Sequence, residues 1–299
     1  MDNFLFLPRA LAATVYDVAF ASASGLIVAG LLLTPGWKGK LKLQRKAFAC
    51  ALAMLIALGG QAWLLTATMA GSSELRLISP QLTEVITSTH AGRALLCNSA
   101  AALLFLLVLL IAHQRQTRTS SAGPLTALAL LAATRAATGH AAADGDFSLP
   151  EFVQFFHLVS IAIWSGGVMA AGYFVVPRML YEIQFESILA FTRRLSQLIT
   201  IAILLVAFTG TYNSYRGLGA SLSPLTRTQW GGFLIAKVVL VCSAVSLGAY
   251  NRRILRAGPS LSALHASRLA RTLRVEAIVM LLILAVSAWL ANSPPANSL

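Results

Sequence analysis

Apolar residues dominate this chain in long runs, and polar residues collect between the runs. A helix needs about 20 residues to cross a hydrocarbon core of roughly 30 Å, and eight runs reach or approach that length. They lie near residues 9–33, 46–70, 94–113, 124–142, 151–176, 196–215, 229–250 and 271–291. The pattern therefore predicts an all-α fold, a polytopic membrane helix bundle with eight transmembrane helices.

The connections between these runs are too short to hold another folded domain. The longest, near 71–92 and 254–270, cannot bury a core of their own, so residues 1–299 are predicted to form a single membrane domain. The N-terminus lacks the basic start of a signal peptide, and we expect the first run to remain as a span. With 57% hydrophobic residues and a mean hydropathy of +0.75, the composition excludes an ordinary soluble domain.

The net charge of +13 is distributed unevenly over the connections. Sixteen Lys and Arg residues lie in or beside the connections that follow the first, third, fifth and seventh runs, and five lie on the opposite side. Because basic loops remain in the cytoplasm, this bias predicts that both termini face outward. The basic balance therefore reflects membrane topology, and it predicts lipid contact and no nucleic-acid partner.

Two of the five histidines flank the connection between the fourth and fifth runs. His140 ends one run, and His157 lies about 9 Å inside the next. Ionisable side chains within membrane spans commonly serve transport or cofactor binding, and imidazole is a ligand for copper. We therefore interpret His140 and His157 as candidate metal ligands. The alternative is that they cap helices or form hydrogen bonds between helices.

Three further residues could complete a metal site near this connection. Asp144 and Asp146 lie between the two histidines, where they could attract cations or simply form a solvated turn. Met69, near the outer end of the second run, offers a soft sulfur ligand or a packing contact. Trp164 follows His157 by seven residues and shares its helix face. It could form the bottom of an outward-facing polar cavity, or it could pack as an ordinary aromatic residue.

Asp17 and Lys237 are charged residues predicted to lie about 12 Å below the outer surface. An unpaired charge at such a depth costs at least about 2.5 to 3.5 kcal/mol, so we expect the two to pair. The pair could pass or gate a cation, or it could be a purely structural ion pair. Arg135 also needs a partner, and Glu276 is expected to be held by Arg274 or Arg135.

Two segments of the chain echo each other. THAGRALLCN at 89–98 and TQWGGFLIAK at 228–237 share a Thr, a Gly three residues later and a polar side chain six residues further on. The echo fits two four-helix halves in parallel orientation, and three matches in ten positions also fit chance.

Several motifs between residues 138 and 295 resemble the CopD (copper resistance D) family of integral membrane proteins. They are Gly139-His140-Ala141, His157 with Trp164 and Gly166-Gly167, Thr228 through Lys237, Asn251-Arg252, Arg274 with Glu276, and Pro294-Pro295. The resemblance implies a non-enzymatic protein of the bacterial inner membrane that moves copper from the periplasm to the cytoplasm, often beside a periplasmic CopC-like copper-binding protein.

The combined prediction is a copper permease that captures the ion at His140 and His157 and passes it near Asp17, with Lys237 in a gating role. Two alternatives remain. The histidines could be axial ligands of haem in a membrane oxidoreductase. The chain could also be a copper-handling partner in oxidase assembly that transports nothing.

Overall fold

The computed structural model describes residues 5–33, 37, 39–114, 122–138, 145, 147–219, 221–256 and 261–294, which contain helices and no strand. The long helices are α1 (Phe6–Leu32), α2 (Lys40–Ala70), α4 (His90–Gln114), α6 (Leu149–Ala170), α8 (Phe185–Leu218), α10 (Gln229–Arg256) and α11 (Ala263–Asn292). The short helices are α3 (Leu75–Ser88), α5 (Ala122–Ala136), α7 (Val176–Tyr181) and α9 (Pro224–Arg227). A π-helical turn, Ala171–Val175, joins α6 to α7.

Within these residues, seven helices are long and apolar enough to cross a membrane, with α6, the π turn and α7 counted as one span. This confirms the prediction of an all-α, multi-pass membrane protein. The predicted fourth span, 124–142, contains α5, whose 15 residues extend about 22 Å, less than a hydrocarbon core. Residues 139–142 lie outside the described residues, so the count of eight spans stays a prediction.

Helix α1 is the centre of the bundle, because it packs against α2, α6 and α11. Phe6 at its start forms an aromatic cluster with Phe233 of α10 and Trp289 of α11, with ring centroids 5.8 to 6.5 Å apart. The start of α1 therefore lies beside the start of α10 and the end of α11. We call this end of the bundle, where α6 also begins, the hairpin end, and the opposite end the basic end.

The closest approach between helices lies where α1 and α6 run side by side. A methyl group added to Gly166 would overlap the backbone carbonyl oxygen of Ala21, and one added to Gly25 would overlap the carbonyl of Gly166. Small residues allow such contacts where lipid provides no hydrophobic drive for helix association. The partner of Gly166 in this contact is α1.

Replacing Gly166 with alanine should therefore destabilise the protein by about 1 to 3 kcal/mol, since the two backbones must move apart. Gly59→Ala is the matched control, because a methyl group there meets nothing within 4 Å and alanine favours the helix. Thermal unfolding in detergent, followed by tryptophan fluorescence, compares the two variants. Equal midpoints would contradict the close α1–α6 contact.

The echo between residues 89–98 and 228–237 has a structural counterpart. In each segment a short helix, α3 or α9, ends at a threonine that caps the next helix. The Thr89 hydroxyl accepts a hydrogen bond from the Gly92 N–H, and the Thr228 hydroxyl accepts one from the Gly231 N–H, both at 3.0 Å. The shared geometry favours an internal repeat over chance. It also corrects the expectation of a plain connection at 71–92, most of which is α3.

Candidate functional site

Asp17 pairs with Arg135 of α5 in the hairpin half of the bundle. The Arg135 Nε lies 3.3 Å from the Asp17 Oδ1, and both side chains are largely buried, at 16% and 18% exposure. The prediction that Lys237 is the direct partner of Asp17 is wrong, because Arg135 reaches the carboxylate from α5. This contact also provides the partner that Arg135 needed.

The same ion pair is surrounded by groups that fix its position. The Arg135 guanidinium lies 5.4 Å from the centroid of the Tyr16 ring, and its Nη1 donates to the Thr138 hydroxyl at 2.9 Å. The Tyr16 hydroxyl donates to Asn98 Oδ1 of α4 at 2.7 Å. Three helices thus hold one buried carboxylate and one buried guanidinium in a single arrangement.

His157 is oriented by a threonine on the neighbouring helix α8. Its Nδ1 lies 2.9 Å from the Thr209 hydroxyl oxygen, and both residues are buried, at 7% and 4% exposure. The Thr209 hydroxyl has one proton, and it donates that proton to the Leu205 carbonyl at 2.6 Å. With its proton on the Leu205 carbonyl, the Thr209 hydroxyl oxygen can accept a hydrogen bond from the Nδ1–H tautomer of His157. In that tautomer the lone pair of the neutral ring lies on Nε2, which forms no hydrogen bond with any residue that the structure describes.

Lys237 of α10 lies within electrostatic range of both Asp17 and His157. It forms no ion pair within 4.0 Å and no hydrogen bond with another described residue. The ammonium group therefore acts on the site through space. A positive charge beside an imidazole repels a metal cation.

A second buried polar cluster lies deeper, on the Trp164 side of His157. Glu276 of α11 is only 3% exposed, and its Oε2 accepts a hydrogen bond from Asn251 Nδ2 at 2.8 Å. Asn251 in turn accepts from the Thr272 hydroxyl. The indole of Trp164 is 1% exposed and lies near the Glu276 carboxylate, but its N–H forms no hydrogen bond with a described residue. Glu276 is therefore held by Asn251, and the expected pairing with Arg274 or Arg135 is not observed.

The remaining predicted ligands are not brought to this site by the described residues. Met69 is half exposed on α2, which packs against α1, α3 and α4. His140, Asp144 and Asp146 lie outside the described residues. Within the part of the chain that the structure describes, no three His, Cys, Asp or Glu side chains are grouped closely enough to hold a metal ion.

Two family models match the chain. Residues 189–290 match "Copper resistance protein D", and residues 5–149 match "Copper resistance protein D-like, N-terminal domain". The chain belongs to the CopD family. The first match contains Thr209, Lys237 and Glu276, and the second contains Asp17 and Arg135, so most of the buried polar groups described above fall within family regions. His157 and Trp164 lie in the interval between the two matches.

Individual relatives agree with this assignment. The chain is 28% identical over 246 residues to Copper resistance protein D of Pseudomonas syringae pv. tomato, with 78% of this chain and 77% of the relative covered. It is 27% identical over 210 residues to Copper transport protein CutJ of Bacillus subtilis (strain 168), covering 68% of this chain and 37% of that longer protein. No solved structure matches the chain. The CopD family is thus named for copper resistance and transport rather than for a catalysed reaction.

Sequence reasoning missed two members of this candidate site, Tyr16 and Thr209, and gave Asn98 no role in it. All three are ordinary helical residues, and their contacts are with residues 52 to 82 positions away. The echo between the halves was the one available signal, since it aligns Asn98 with Lys237. Both residues occupy the same position after a capping threonine, and both approach the Tyr16–Asp17 segment.

Proposed function

We propose that this CopD-family protein transports copper across the bacterial inner membrane, from the periplasm to the cytoplasm, and that His157 captures the ion. The observation that carries the proposal is the buried hydrogen bond between the His157 Nδ1 and the Thr209 hydroxyl. A histidine that donates from Nδ1 to a fixed acceptor presents Nε2 as a metal ligand in a set orientation. Copper accepts imidazole ligands in both of its common oxidation states.

His140 is proposed as the second ligand, with Asp144 and Asp146 attracting the ion from outside. His140 follows Thr138 by two residues, and Thr138 is bound to Arg135 at the edge of the site. Met69 remains a possible additional ligand only if the protein rearranges, because it is half exposed on α2. The basic-loop bias supports an outward hairpin end, which would give these residues access to the periplasm.

Passage below His157 is proposed to depend on the charge balance around Asp17. Arg135 neutralises the Asp17 carboxylate directly, and no carboxylate of the described residues lies within 4.0 Å of the Lys237 ammonium. Movement of Lys237 away from His157 would lower the electrostatic barrier to a cation, and its return would raise the barrier. Trp164 lies seven residues after His157 on the same face of α6. Its buried indole would separate the capture site at His157 from Glu276.

Reconstitution into liposomes tests transport directly. Vesicles that contain the protein and an internal copper-sensitive chelator should accumulate copper faster than protein-free vesicles. Copper binding without uptake would support the alternative of a copper-handling partner in oxidase assembly. A Soret band that disappears in His157→Ala would support the haem alternative. A CopC-like periplasmic protein is proposed as donor, and its addition should accelerate uptake.

Thr209→Val should weaken copper binding by about 10- to 100-fold, the usual effect of removing a group that orients a metal-binding histidine. Thr209→Ser should retain the affinity because it keeps the hydroxyl. Thr211→Val is the control, since that threonine lies on the same helix, is exposed and bonds only to its own helix at the Ala207 carbonyl. Titration with a competing copper chelator measures all three. Equal affinities in Thr209→Val and Thr211→Val would contradict the role of the hydroxyl.

A further inference from the structure

A groove of about 460 Å³ lies between α8 and α10 at the basic end of the bundle. Three arginines line it: Arg193 from α8, and Arg252 and Arg256 from α10. No carboxylate is among its lining residues. The groove contains none of the residues discussed above as copper ligands, so it needs an explanation of its own.

Arg252 is held rigidly in this groove. Its Nε donates to the Ser196 hydroxyl at 3.1 Å, and its Nη2 donates to the Ser196 carbonyl at 2.9 Å and to the Thr200 hydroxyl. The N–H groups of Nη1 have no partner among the described residues. One edge of the guanidinium is therefore fixed by α8, and the other edge is free to bind a ligand.

The positive charge in the groove is not neutralised by the described protein groups. None of the three guanidinium groups lies within 4.0 Å of a carboxylate of the described residues. Arg193 donates from Nη2 to the Leu255 carbonyl at 3.3 Å, which satisfies one N–H but adds no negative charge. Three guanidinium groups that line one groove and have free N–H donors suit an anion with several acceptor oxygens, such as a phosphate group.

We infer that this groove binds the phosphate group of an anionic phospholipid. Free inorganic phosphate offers the same phosphate oxygens as a lipid headgroup, but the apolar wall of the groove favours a lipid. Ile201, in the groove wall, is 59% exposed on a helix long enough to span the membrane, which provides an apolar surface for an acyl chain. Basic pockets between transmembrane helices on the cytoplasmic side of a membrane bind lipid headgroups, and the basic-loop bias predicts that the basic end faces the cytoplasm. The inference does not depend on copper transport.

The test compares two double variants with the same change in net charge. Arg193→Gln with Arg256→Gln removes two groove arginines. Arg194→Gln with Arg253→Gln removes two arginines of the same helices that do not line the groove. Native mass spectrometry of the full-length protein, titrated with phosphatidylglycerol or phosphatidylcholine, measures lipid binding. We expect the groove variant to lose about 10-fold in phosphatidylglycerol affinity. The control variant should stay within about twofold of the unmodified protein, and neither should change phosphatidylcholine binding.

Three results would overturn the inference. Equal losses in both double variants would mean that diffuse charge attracts the lipid, and no loss in the groove variant would remove the site. Full displacement of phosphatidylglycerol by millimolar inorganic phosphate would assign the groove to free phosphate. If the groove double variant does not fold, Arg256→Gln replaces it and Arg253→Gln is its control. Arg256 forms no hydrogen bond with the described residues, so its removal should not affect folding.

Discussion

Asp17→Ala is expected to destabilise the protein by about 3 to 5 kcal/mol, because it leaves the buried Arg135 guanidinium without its counter-charge. Arg135→Leu should have an effect of similar size, since it leaves the carboxylate unpaired. The double variant should be markedly more stable than the sum of the two single effects predicts. SDS-induced unfolding in mixed micelles provides the free energies for this double-mutant cycle.

A second cycle, with Asp17→Ala and Lys237→Ala, is the control for the assignment of partners. Lys237 acts on Asp17 only at longer range, so the coupling free energy in this cycle should be clearly smaller than in the first. Additive effects in the Asp17–Arg135 cycle would contradict the ion pair. A larger coupling with Lys237 would restore the pairing that the sequence alone suggested.

His157→Ala is expected to reduce copper uptake into proteoliposomes by at least about 100-fold, because it removes the ligand itself rather than a group that orients it. The protein should remain folded in the membrane, since the substitution removes one imidazole and one hydrogen bond with Thr209. His265→Ala is the matched control: this histidine lies at the start of α11, where its Nδ1 bonds to Ser262. Uptake by His265→Ala should equal that of the unmodified protein. Wild-type uptake by His157→Ala would exclude His157 from the route.

Periodicity and hydropathy predicted the architecture well because lipid imposes strict requirements on a spanning segment. Seven of the predicted spans coincide with long apolar helices. The helix ends were less predictable. Helix α8 begins at Phe185, although its apolar run begins near residue 196, and α11 begins at Ala263 rather than near 271. Hydropathy detects where a helix enters the hydrocarbon, but helical hydrogen bonding continues into the basic segments beyond it.

The candidate site was predictable at the level of residues but not of contacts. A charged or imidazole side chain within an apolar run is conspicuous in a sequence, so Asp17, His157 and Lys237 could be predicted as candidate site residues. Pairing depends on which helices are neighbours and how they are rotated, and the sequence does not contain that information in readable form. Arg135 therefore replaced Lys237 as the partner of Asp17. In sequence, Thr209 is like any other helical threonine, because its contact with His157 depends on α8 lying beside α6.

Copper K-edge X-ray absorption of the reconstituted, copper-loaded protein reports whether His157 binds the ion. We expect nitrogen ligation with the outer-shell scattering of imidazole in the unmodified protein, and loss of that imidazole signal in His157→Ala. The same copper content with unchanged imidazole scattering in His157→Ala would show that the ion binds elsewhere and that His157 is not its ligand.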